Sequence, residues 1–112
     1  MIYHITTRQA WKQARAEGAY TADSLKSEGF IHCSTAAQVQ ATANRFFHGC
    51  QDLVLLHIDD HMFGSVLKYE NLEGGTELFP HLYAVLPRSA IIKTQDLTPG
   101  TDGSFEIRSL NL

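Results

Sequence analysis

The chain has 112 residues, 44% of them apolar, with nine basic against twelve acidic side chains and a net charge of −3. One domain with one core, spanning 1–112, fits that length. A membrane span does not fit, since no apolar stretch approaches the roughly 20 residues it needs. Tight general nucleic-acid binding does not fit either, since no Lys/Arg run is present to neutralise phosphates.

In chain order, Ile2 to Ile5 predicts a first strand. Thr6 with Gln9 fits a capping box, opening a helix to about Glu17 with Ala10, Trp11 and Ala14 on one face and Gly18 as its stop. Ala19 to Gly29 has no clear period and reads as a loop. Phe30 to Cys33 predicts a second strand, and Thr35 with Gln38 a second capping box. The helix that follows carries Val39, Ala43, Phe46 and Phe47 as an apolar stripe. Leu53 to Ile58 is a continuous apolar run, as expected of a central strand buried on both faces. Asp59 to Gly64 reads as a turn or a short helical piece, Val66 to Tyr69 as a strand, and Asn71 to Glu77, with Gly74-Gly75, as a loop. Leu78 to Val85 is a strand restricted by Pro80, Ala90 to Thr94 another, and Phe105 to Leu110 a last edge strand. Helices early and strands later make an α+β fold. No glycine-rich dinucleotide fingerprint or phosphate loop is present.

Six histidines are many for this length, and imidazole titrates near neutral pH. Two of them sit in a repeated layout: an apolar run, a histidine, a hydroxyl two residues on, then a helix start. Residues two apart on a strand share a face, so His4 pairs with Thr6 and His32 with Ser34. If the two strands share a sheet, four polar groups line one cleft. The plainer reading of the same residues is helix capping and strand-end hydrogen bonding. His81 and Tyr83 also share a face, either on a surface strand or in a cleft wall where an aromatic ring stacks on a ligand. Cys33 lies between His32 and Ser34, faces the other way, and is not expected to act as a nucleophile. His57-Ile58-Asp59-Asp60-His61 lacks a metal-ligand spacing, and no metal site is expected. The two cysteines form no disulfide framework, and no signal segment is seen before the first strand, so a reduced cytoplasmic setting is expected.

Ile2-Tyr3-His4-Ile5-Thr6, Gly29-Phe30-Ile31-His32-Cys33-Ser34-Thr35 and Phe79-Pro80-His81-Leu82-Tyr83 resemble the small bacterial proteins grouped as domain of unknown function family 952, over about Ile2 to Ile92. That family is grouped in fold with the ADP-ribosyltransferases. A more distant similarity is to the tRNA 2′-phosphotransferases, which have a Leu-Tyr-His-Gly-Thr strand and a later His-Val-His-Leu-Ser strand. The resemblance implies two small sheets around a cleft that binds NAD, with two early helices, and cleavage of the nicotinamide–ribose bond with transfer of ADP-ribose. It implies contacts to the nucleotide from His4, Thr6, His32, Ser34 and Tyr83. It implies catalytic roles for His32, His81 and a glutamate, for which Glu70 is the first candidate and Glu77 the second. A small-molecule nucleotide is the expected partner, with the acceptor undefined. The basic RNA-binding domain of the phosphotransferases has no counterpart here, so a tRNA substrate is not expected. Two other readings stand beside this one: a non-catalytic nucleotide-binding module, and a hydrolase or isomerase of a small polar metabolite that uses His32 as acid or base.

Overall fold

The computed structural model describes residues 1–108 and 110. The order is β1 (Ile2–Thr7), α1 (Arg8–Glu17), β2 (Ala19–Tyr20), α2 (Asp23–Ser27), β3 (Ile31–His32), α3 (Val39–Phe46), β4 (Leu53–Ile58), β5 (Leu67–Glu70), β6 (Phe79–Leu82), β7 (Leu86–Pro87) and β8 (Ile91–Leu97). The strands form an antiparallel sheet β1-β4-β8, a second antiparallel sheet β3-β6-β5, and a β2-β7 ribbon. This is the expected α+β arrangement of small sheets.

The apolar run Leu53–Ile58 is the central strand, buried at every position. Its side chains alternate between two clusters, as strand geometry requires. Val54, Leu56 and Ile58 pack with Ile2, Ala14, Ile31, Leu82 and Leu86. Leu53 and Leu55 pack with Tyr3, Ile5, Val39, Ala43, Leu97 and Phe105. One cluster therefore holds α1 and the second sheet against β4, and the other holds α3.

Several elements depart from expectation. The cap of α1 is Thr7, whose side chain accepts from the Ala10 amide at 3.1 Å, while Thr6 stays in β1 and is buried. Gly18 ends the helix as expected, at φ 82° in the left-handed region. The Ala19–Gly29 segment is not a plain loop: it contains β2 and the short α2. Only half of the second capping box forms. The Thr35 amide donates to Gln38 Oε1 at 3.0 Å, and α3 begins at Val39. On α3, Val39 and Ala43 are buried but Phe46 is 58% exposed, so the apolar stripe is narrower than predicted. Residues 105–108 and 110 carry no strand, and 109 lies outside the described residues. Among the described residues, no helix is long and apolar enough to cross a membrane.

Candidate functional site

A cleft of about 450 Å³ opens between the two sheets and α3. Tyr3, His4 and Ile5 of β1 form one wall, and Phe30, His32, Cys33 and Ser34 another. Thr42, Arg45, Phe46 and Phe47 come from α3 and its end, and Glu70 to Glu73, Phe79 and His81 from β5, β6 and the loop between them. Its volume lies in the range that small-molecule ligands occupy.

Glu70, His81 and Tyr83 meet at one carboxylate oxygen. β5 pairs with β6 so that Glu70 lies opposite Phe79, two residues before His81. His81 Nδ1–H donates to Glu70 Oε1 at 3.0 Å, and the Tyr83 hydroxyl donates to the same oxygen in a short bond. The Tyr83 bond, then the His81 bond, hold the Glu70 carboxyl below the usual carboxylate range. The same bond to Glu70 pushes the Tyr83 phenol up. Among the described residues no buried side-chain nitrogen or oxygen lacks a partner. Glu70 and His81 both line the cleft, and these bonds leave Glu70 Oε2 and His81 Nε2 without a side-chain partner. A neutral His81 donating through Nδ1 carries its lone pair on Nε2, which is the arrangement of a histidine oriented as a base.

His32 lies opposite His81 in the β3–β6 register, with the two rings 5.5 Å apart. Its Nε2–H donates to Glu28 Oε2 at 2.8 Å, and both side chains are about half exposed at the cleft edge. Phe30 organises both imidazoles. His81 stacks on its ring at 4.2 Å, and His32 meets it edge-on at 4.7 Å. The Tyr83 ring is 5.1 Å away. Two imidazole–carboxylate pairs thus flank one buried aromatic ring.

His4 also lines the cleft, but both of its ring nitrogens bind protein. Nδ1–H donates to the His32 carbonyl at 2.6 Å, and Nε2 is 2.9 Å from the Tyr20 hydroxyl. Burial lowers its pKa to about 4, so the ring is neutral at physiological pH. Thr6, expected beside His4 on the cleft wall, lies instead behind it, 3.0 Å from the Tyr20 hydroxyl and outside the lining. Ser34 lines the cleft, and its hydroxyl donates to Thr42 Oγ1 at 3.2 Å. The structure therefore brings His32, Ser34, Glu70 and His81 to one cleft with the His4 ring. Tyr83 joins them through Glu70, and Thr6 does not reach it. Glu77, the second glutamate, accepts from Gln38 Nε2 at 3.2 Å on the exposed loop and is not part of the lining.

Sequence reasoning missed Phe30, Glu28, Arg45 and Leu72. Phe30 is read only as the first residue of a strand; it is 4% exposed, and nothing in the sequence marks it as the ring between the histidines. Glu28 stands four residues before His32, but it follows the end of α2 while His32 lies in β3, so no helical or strand period pairs them. At the rim, Arg45 Nη1 is 3.8 Å from Glu73 Oε2, and Phe46 and Leu72 present exposed apolar surface. Cys33 also lines the cleft, but it is buried and its thiol is pushed up to about 12 by burial, so it is not a thiolate nucleophile. His57 lies apart from the Asp59-Asp60-His61 turn and is 3.1 Å from Gln95 Oε1. Asp59, Asp60 and His61 form the one group among the described residues whose ligand atoms gather as a cation would need. All three lie toward the surface, and Asp60 accepts from the Met1 amino group at 2.8 Å.

The sequence matches the family described as "Protein of unknown function (DUF952)" over residues 5–94. The structure is similar to protein CC0527 from Caulobacter crescentus. Its crystal structure superposes with a TM-score of 0.86 at 38% identity, covering 94% of this chain and 92% of that one. The solution NMR structure of CC0527 gives a TM-score of 0.82 at the same identity, covering 92% and 89%. No curated protein matches the chain. A match over most of the chain, together with a relative at 38% identity along nearly its whole length, makes this protein a member of the DUF952 family.

Proposed function

We propose that the cleft binds NAD or a related nucleotide and that the protein transfers ADP-ribose from it. The observation that carries this reading is the Tyr83–Glu70–His81 group, an ionised carboxylate fixed through Oε1 by two donors, beside an imidazole oriented by that carboxylate, with Glu70 and His81 both lining the cleft. As the nicotinamide–ribose bond breaks, its electron pair passes to the ring nitrogen and positive charge develops on the ribose. A fixed carboxylate stabilises that charge without reorganising. Glu70 Oε2 takes a ribose hydroxyl, and His81 Nε2 takes the proton of the nucleophile that bonds to the ribose carbon. His32 and Ser34 hold the ribose or amide groups, and Tyr83 keeps Glu70 in place. Phe46 and Leu72 offer apolar surface to a base at the rim, and Arg45 offers a charge to the diphosphate. Both cysteines are free, which suits a reducing, cytoplasmic setting.

Isothermal titration with NAD, ADP-ribose and nicotinamide tests binding, and failure of all three at millimolar concentration would sink the proposal. Glu70→Gln tests chemistry. At saturating NAD, so that the weaker binding of the uncharged variant does not enter, NAD cleavage should fall by about 10²- to 10³-fold, the range for removing one preorganised charge-stabilising group. Binding without any cleavage by the wild type would instead identify a non-catalytic nucleotide module.

The carboxylate-oriented His81 also favours a second reading, a histidine-dependent hydrolase or isomerase of a small polar metabolite. A pH–rate inflection that disappears in His81→Gln, in the absence of NAD binding, would select it.

A further inference from the structure

We propose that Thr6 and Tyr20, acting through His4, are positioning residues for His32: the buried Thr6–Tyr20–His4 chain fixes the His32 carbonyl and so the place of the His32 imidazole in the cleft.

β3 is an edge strand of its sheet. The Cys33 amide donates to the Pro80 carbonyl at 3.0 Å, so the neighbouring pair His32–His81 is the non-hydrogen-bonded one. The His32 carbonyl therefore points away from β6. A further strand would normally meet it there; the His4 imidazole does so instead, with Nδ1–H 2.6 Å from the oxygen. A carbonyl only accepts, which fixes the proton of the neutral ring on Nδ1 and leaves Nε2 as an acceptor. Nε2 accepts from the Tyr20 hydroxyl at 2.9 Å; that hydroxyl has a single proton, so across the 3.0 Å to Thr6 Oγ1 the threonine hydroxyl is the donor.

His4, Thr6 and Tyr20 are all buried, and at such depth each lost partner leaves a polar atom unsatisfied. Alongside this chain, β1 meets the same segment through two backbone bonds of 2.8 Å, Tyr3 amide to Ser34 carbonyl and Ser34 amide to Tyr3 carbonyl. The His4 bond thus lies on the line where the β1 sheet joins the sheet that carries His32 and His81. Loosening it shifts one imidazole relative to the other.

The test uses the ligand-free protein, so its failure is separate from any failure of the nucleotide reading. In Tyr20→Phe, His4 Nε2 loses its donor. The ¹⁵N and ¹³Cε1 imidazole resonances of His32 should move, and exchange of the Tyr3 and Ser34 amides should rise about tenfold, the effect of losing one hydrogen bond. The Leu55 and Leu56 amides, at the centre of β4, should exchange as in the wild type. Unchanged His32 resonances would overturn the proposal, and so would a rise at Leu55 and Leu56 equal to that at Tyr3 and Ser34.

Two further variants keep the test decisive if Tyr20→Phe does not fold. His4→Asn retains an amide donor for the His32 carbonyl and should keep the His32 resonances near their wild-type positions; His4→Leu should displace them. Equal displacement by Asn and Leu would overturn the proposal.

Discussion

At Glu70, two hydrogen bonds to one oxygen set both the place and the charge of the carboxylate. The Tyr83 bond is the larger influence on its ionisation and the His81 bond the second. In Tyr83→Phe the Glu70 carboxyl should therefore titrate at higher pH than in the wild type, read from its ¹³C resonance. A midpoint that stays in place would show that Tyr83 does not hold the charge. His4 makes a different prediction, about stability. Its folded pKa of about 4 lies below the unfolded value of 6.5, so the unfolded chain binds the extra proton more readily. The contribution is fully present above pH 6.5 and is lost as pH falls toward 4. At about 1.4 kcal/mol per pH unit the loss approaches about 3 kcal/mol. Urea unfolding of the wild type and His4→Asn between pH 7 and 4 should show this component in the wild type alone. Parallel curves for the two proteins would remove His4 as its source.

Among the elements, β4 and α1 were legible because each carries a complete local signal. Leu53–Ile58 is apolar without a break, and a strand buried on both faces requires that. The α1 helix has a hydroxyl before it and a glycine after it, and only the choice between two adjacent threonines failed. Thr6 is kept in β1 by its place opposite Val54 and its contact with Tyr20, so Thr7 caps. Thr7→Ala should cost about 1 kcal/mol in chemical denaturation, as loss of an N-cap does. No change in the unfolding midpoint would show that the bond to Ala10 contributes nothing. The α2 helix was hidden because five residues carry no readable period. The site was half legible for a similar reason. The histidine–hydroxyl spacing gives the face of a strand, so His32, Ser34 and His81 could be placed. What each imidazole binds depends on residues distant in the chain: Tyr20 for His4, and Glu70 for His81. Phe46 sits on a helical stripe that reads as buried, and its exposure follows from the cleft that opens beside the end of α3.

At the scale of the whole molecule, the sign of the charge around the cleft bears on what enters it. The chain carries a net −3, and the cleft concentrates that excess. Among the described residues, Glu28, Glu70 and Glu73 line it against one arginine, Arg45, and no lysine. The Arg45–Glu73 pair at the rim is two-thirds exposed on both sides and contributes little field inward. Glu28 and Glu70 remain, each hydrogen-bonded to an imidazole. An oxidised nicotinamide ring is a cation, whereas the reduced ring is neutral and nearly the same shape. A unit charge about 10 Å from one carboxylate, at an effective dielectric of about 20, gains roughly 1.7 kcal/mol. On the nucleotide reading, NAD⁺ should therefore bind about twentyfold more tightly than NADH, and the preference should shrink in Glu70→Gln and on raising the salt. Calorimetric titration of both dinucleotides into both proteins measures it. Equal affinities in the wild type would mean that the nicotinamide end does not lie near these carboxylates, and Glu70 would lose its assigned place at the ribose.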